Sequence, residues 1–203
     1  MSELLAALVV FAGFMALGFY VKTHAEPALL WAFAKVVRGH AIGLAWAFTN
    51  MGWAPVLVPL TIALLILAVA SPRWRARALA TVVSMLVCWG AADAFQHWFG
   101  RPRRDDWLIR HEHAFSYPSS HAAMAVGFYL FFGVLVLISE LPRRVRVTGF
   151  AILAAVTLGI VWSRLALAAH YPTDVIGGML LGAVVSLLAA AAVKVLAPPG
   201  ARP

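Results

Sequence analysis

The chain has 203 residues, 63% of them hydrophobic and 12% charged, against roughly 45–50% and about 25% in an ordinary globular domain. With a mean hydropathy of +0.88, a soluble fold would expose apolar surface almost everywhere, so a soluble enzyme is excluded. The net charge of +8 needs no nucleic acid, because basic cytoplasmic loops and anionic lipid headgroups account for it.

Charges divide the apolar residues into runs of bilayer length. Glu3 and Lys22 enclose the first; the absence of Lys and Arg before it argues against a cleavable leader. Residues 27–48 mix Lys35, Arg38 and His40 with Trp31, Phe33, Trp46 and Phe48, the composition of a helix lying in the interface. A second span is expected over Gly52–Ala70, closed by Arg73, Arg75 and Arg77. A third covers Leu79–Phe99, a fourth His121–Ile138, a fifth Val147–Leu167 and a sixth Asp174–Val195. Runs of about 20 apolar residues are helical spans, whereas barrel strands would alternate over about ten. The expected fold is therefore all-α: one domain over residues 1–203, with six transmembrane helices and an interfacial helix near the N-terminus. The single cysteine, Cys88, permits no intrachain disulfide.

Six crossings put the loops after spans two and four on one side. Both carry arginines, Arg73 to Arg77 and Arg143 to Arg146, so that side is expected to be cytoplasmic, with both termini. The loop after span three also holds Arg101, Arg103, Arg104 and Arg110, and these need another purpose.

Three polar clusters fall on that opposite side: Gln96 to Arg104, Tyr117-Pro118-Ser119-Ser120-His121, and Ser163-Arg164 with His170 and Asp174. Ionisable groups at a membrane boundary are costly unless paired or working. Guanidinium forks match phosphate oxygens, and Ser119 and Ser120 stand where a helix begins and its N–H groups point outward. His170 and Asp174 are four apart, so a helix extending back to them places the carboxylate where it orients the imidazole. His170 then serves as a nucleophile toward phosphorus, and His121 as the acid that protonates the leaving oxygen. Nothing in this scheme requires a metal or other cofactor, and the sequence offers no carboxylate cluster to hold one.

These residues resemble the type-2 phosphatidic acid phosphatase family, integral membrane lipid-phosphate phosphatases that share an active-site pattern with vanadium haloperoxidases. The family's third motif, Ser-Arg, five residues, His, three residues, Asp, is matched in full by Ser163, Arg164, His170 and Asp174. Its second, Pro-Ser-Gly-His, is matched by Pro118, Ser119 and His121, with Ser120 at the glycine. Its first, Lys, six residues, Arg-Pro, aligns with Gln96 at the lysine, Arg103 at the arginine and Arg104 at the proline. The resemblance implies His170 as nucleophile, Asp174 as its orienter and His121 as acid, with Arg103, Arg164, Ser119, Ser120 and Gln96 around the phosphate. It also accounts for the arginines on the unexpected side.

The expected activity is hydrolysis of a lipid phosphate or diphosphate, undecaprenyl diphosphate foremost, in a bacterial inner membrane with the site on the periplasmic or outer face. A phosphotransferase using the same residues, or an impaired relative that binds or flips lipid phosphates, is the alternative. Asp93, Gly178 and Gly182 are read as structural, and His24, His40, His97, His111 and His113 as interfacial.

Overall fold

The computed structural model describes residues 2–108 and 115–196, which leaves Arg110, His111 and His113 outside. The described residues form helices α1 (Ser2–Thr23), α2 (Ala28–Val37), α3 (Ile42–Met51), α4 (Ala54–Ala70), α5 (Pro72–Phe99), α6 (Ser120–Leu137), α7 (Arg143–Ala166) and α8 (Pro172–Leu196), and no strand. The protein is an all-α membrane bundle. Five helices, α1 and α5 to α8, are each long and apolar enough to cross a bilayer. At 17 residues α4 spans about 26 Å, slightly less than a hydrocarbon core of roughly 30 Å.

Residues 27–48, expected as one interfacial element, divide into two helices bent by 107°. The bend occurs at Gly39 and Ala41, both left-handed with φ of +78° and +47°. Past it, α3 runs antiparallel to the end of α7: Gly39 N donates to Ala166 O at 2.9 Å, and the Phe48 ring fills the space a Cβ on Gly159 would need. The chain then continues through Gly52-Trp53 into α4, which packs along α5. Helix α5 starts at Pro72 rather than Leu79 because the helix does not stop where the hydrocarbon does. Its first turns carry Arg73, Arg75 and Arg77, the last of them buried over the Trp74 ring at 5.3 Å, and Gly100, with φ of +63°, ends it.

Helix α6 is the central strut. Of its residues 67% are buried, against 17% of those in the best apolar window of α7. It widens into a π turn over Ala125–Leu130. Glycine lets α8 approach it: a Cβ on Gly178 would lie 2.3 Å from Ser119 O, and one on Gly182 would lie 2.6 Å from Ala123 O. This is the small-xxx-small contact by which membrane helices gain packing without a hydrophobic driving force between them. Leu8, Val9, Val69, Val83 and Leu158 are exposed around the outside, as lipid-facing residues must be.

Ion pairs between Lys194 and Glu3 and between Arg73 and Glu140 lie at one end of the bundle. The polar clusters gather at the other.

Gly178→Val forces a side chain against a backbone carbonyl and is expected to lower the unfolding temperature in detergent, since overpacking costs about 1–3 kcal/mol or more. Gly90→Ala, where nothing lies within 4 Å of the added Cβ, should leave it unchanged or raise it.

Candidate active site

The end of α7 determines where the third cluster goes. The helix closes over Leu167, whose N–H donates to Ser163 O at 2.9 Å, and the N–H of Ala169 turns back to Arg164 O at 2.9 Å. Between them Ala168 takes φ of +55°, a conformation that costs an L-residue roughly 1–2 kcal/mol. The reversal points His170 inward, fully buried, just before α8 begins.

His170 Nδ1 lies 3.5 Å from Asp174 Oδ2. On the other side of the ring, Arg103 Nη1 is 3.2 Å from Nε2. A guanidinium only donates hydrogen bonds, so Nε2 carries the lone pair and the proton sits on Nδ1, toward the carboxylate. Burial first, and then the charges of Arg103 and Arg164, hold the imidazole well below its usual pKa, leaving it neutral. A neutral imidazole with Nε2 facing cations and Nδ1 facing a carboxylate can donate electrons to phosphorus.

Asp174 is surrounded by donors. Arg101 Nη1 reaches Oδ1 at 2.6 Å, Tyr171 N reaches Oδ2 at 2.9 Å, and Ser116 Oγ also donates to Oδ2. Burial opposes the charge of Arg101, but the Asp174 and Glu26 carboxylates leave its pKa raised. Arg104 is held bidentately by Asp106 at 2.8 and 2.7 Å. The three described loop arginines therefore have different partners. Arg103 faces the imidazole, Arg101 the carboxylate and Arg104 the loop's own Asp106, while Arg110 lies outside the described residues.

Arg164 is buried and donates to Thr49 Oγ1 from α3. Trp107 covers both guanidiniums, its ring centroid 5.3 Å from Arg164 Cζ and 6.0 Å from Arg103 Cζ, while its Nε1 donates to Ala169 O at 3.1 Å.

His121 sits in the first turn of α6, its side chain buried and both ring nitrogens without a hydrogen-bond partner among the described residues. It lies within electrostatic reach of His170, Arg164 and Arg103. Its ring fits against Gly52, where a Cβ would come within 2.6 Å of Cδ2, and against Trp53 at 6.0 Å. The loop that aims it is held at three points. Tyr117 OH donates to Phe14 O at 2.7 Å, Ser119 N donates to Asp174 O at 3.0 Å, and Gln96 Nε2 donates to Pro118 O at 2.8 Å. Ser119 also caps α6, its Oγ accepting from Ala122 N at 3.5 Å. Ser120, half-buried, follows at the first position of the helix, where N–H groups have no helical partner.

The structure thus brings His170, His121, Asp174, Arg103 and Arg164 together with Ser119 and Ser120. Gln96 differs from expectation: its amide braces the loop carrying the second motif. Asp93 pairs with His97 at 3.8 Å on an exposed face of α5 and takes no part. Thr49, Gly52, Trp53, Trp107 and Ser116 belong to the site without any motif that marks them; Ser116 alone stood beside one.

From His121 an apolar cavity of about 550 Å³ runs between α4 and α5. Val58, Ile62, Leu86 and Trp89 line its outer side and are exposed toward the lipid.

Gln96→Leu leaves the buried Pro118 carbonyl without its donor and is expected to cost about 1–3 kcal/mol, read as a lower unfolding temperature in detergent. Gln96→Lys, whose ammonium can still donate, should lose less.

No curated protein matches the chain significantly by sequence. Among solved structures it is similar to the first transmembrane PAP2-type phosphatidylglycerolphosphate phosphatase from Bacillus subtilis, at 22% identity, with a TM-score of 0.77, over 94% of this chain and 96% of that one. The family model described as PAP2 superfamily matches residues 77–196, more than half of the sequence and all three polar clusters. The chain belongs to the PAP2 superfamily.

Proposed function

We propose that the protein hydrolyses a lipid phosphate or diphosphate through a phosphohistidine on His170. The observation that carries this reading is the polarised imidazole, Nε2 against Arg103 and Nδ1 against Asp174. Phosphate oxygens take the place of Nε2 on Arg103 and bind Arg164 and the first N–H groups of α6, with Ser119 and Ser120 beside them. His170 Nε2 attacks the terminal phosphorus, forming an N–P bond as the P–O bond breaks to the leaving lipid alcohol or, for a diphosphate, to the leaving lipid monophosphate. His121, protonated beside the negative charge of the bound phosphate, gives that proton to the departing oxygen. His121 then removes a proton from water, whose oxygen attacks phosphorus, the N–P bond breaks, and inorganic phosphate leaves.

The cavity beginning at His121 supports a lipid as substrate. A headgroup at the imidazoles leaves its chain beside exposed Val58, Ile62 and Trp89, in hydrocarbon, so the substrate need not leave the membrane. Undecaprenyl diphosphate is the substrate we favour. Phosphatidylglycerol phosphate, the type of substrate in the name of the Bacillus subtilis protein, is the principal competitor. The basic turns after α4 and α6 lie at the end opposite the site, which supports cytoplasmic termini and a periplasmic or outer active site in a bacterial inner membrane. A phosphotransferase would share the first half-reaction and differ in using a lipid hydroxyl in place of water.

Purified protein in detergent is expected to release phosphate from at least one lipid in a panel of monophosphates and diphosphates. His170→Ala should reduce the rate by about 10³-fold or more, as loss of a nucleophile does. Vanadate, which adopts the five-coordinate geometry of the transferring phosphorus, should inhibit. Undiminished turnover by His170→Ala would remove the nucleophile assignment.

A further inference from the structure

Glu26 lies between α1 and α2, far in sequence from every motif, yet its side chain is 4% exposed. Its Oε1 accepts Thr173 N at 3.0 Å, and Oε2 accepts Thr173 Oγ1 at 2.6 Å and Arg101 Nη2 at 3.0 Å. The other arm of the same guanidinium, Nη1, holds Asp174 Oδ1 at 2.6 Å and Thr173 Oγ1 at 2.7 Å. The Arg101 fork also rests 4.2 Å above the Tyr171 ring.

A carboxylate rotates freely about Cβ–Cγ unless both oxygens are engaged. Arg101 takes Oδ1, so Oδ2 is directed at Ser116, Tyr171 N and the His170 ring. Arg101 can do this only if its own position is fixed and its charge balanced, and Glu26 supplies both. The carboxylate of Glu26 also accepts the Thr173 N–H in the first turn of α8, where negative charge is favoured.

We infer that Glu26 and Arg101 are positioning residues for the nucleophile: the buried series Glu26, Arg101, Asp174 sets the orientation and tautomer of His170. The inference rests on the phosphatase reading of His170. It differs from a purely architectural role, in which Glu26 ties the α1–α2 connection to α8 and nothing more.

The test is a double-mutant cycle on the full chain in detergent, with Glu26→Gln as a variant of unchanged size. Glu26→Gln is expected to lower kcat about tenfold, within the range seen when an outer partner of an oriented histidine is removed, with KM changed by less than about twofold. In an Asp174→Asn background it should lower kcat by less than about twofold further, because residues acting through one another are not additive. An equal loss in both backgrounds, or an undiminished kcat, would overturn the inference. A second measurement does not depend on turnover: in ¹⁵N-histidine spectra, the His170 signal, identified by its loss in His170→Ala, should shift from the Nδ1–H tautomer toward a mixture in Glu26→Gln. An unchanged tautomer overturns the inference. If the wild-type protein releases no phosphate from any lipid, the functional reading fails and the spectra alone decide this one.

Discussion

Asp174 is a fully buried carboxylate at the rim of an apolar bundle, and the site is organised around the need to satisfy it. Taking one partner from a buried ion pair costs about 3–5 kcal/mol, because the remaining charge is left uncompensated. Its hydrogen-bond partners come from separate parts of the chain: Arg101 from the loop after α5, Ser116 from the strap before α6, and Tyr171 from the turn before α8, with His170 Nδ1 3.5 Å away. The backbone carbonyl of Asp174 also receives Ser119 N. Satisfying one side chain therefore joins all three polar clusters, and the geometry suited to phosphorus chemistry follows from the same bonds.

The close approach of α6 and α8 makes this convergence possible. Gly178 and Gly182 leave no room for side chains between the helices, which brings the His121 end of α6 beside the His170 end of α8. Gly52 does the same for the other face of His121. Around this small-residue centre the surface is apolar and lipid-facing, so the charged groups are concentrated at one end and the basic anchors at the other.

Much of this was legible in the sequence for particular reasons. Charges such as Lys22, Arg73 and Arg143 bounded the spans because a helix in hydrocarbon tolerates few of them. The four-residue interval between His170 and Asp174 implied a shared helical face, but α8 begins only at Pro172, and the turn at Ala168 brings the two side chains together instead. The arginines of the loop after α5 could be counted but not sorted, since only tertiary placement separates Arg103, against an imidazole, from Arg101, against a carboxylate. Gln96 aligned with a charged position, but its partner, Pro118 O, lies 22 residues away and is set by packing. Residues 27–48 read as interfacial because Lys35, Arg38 and aromatic residues do mark a boundary. Composition did not reveal the reversal at Gly39 and Ala41 that sends α3 along α7 and puts Thr49 on Arg164. Glu26 carried no signal, because its partners stand 75 and 147 positions away.

The central claim is a covalent bond between His170 and phosphorus. The most direct measurement is rapid acid-free quenching of the enzyme with a lipid substrate bearing ³²P at the transferred phosphate, followed by peptide mapping. The account predicts acid-labile label on His170 alone, present in wild type during turnover, longer-lived in His121→Ala and absent from His170→Ala. Label on another residue, or turnover with no enzyme-bound phosphorus in either wild type or His121→Ala, would contradict it.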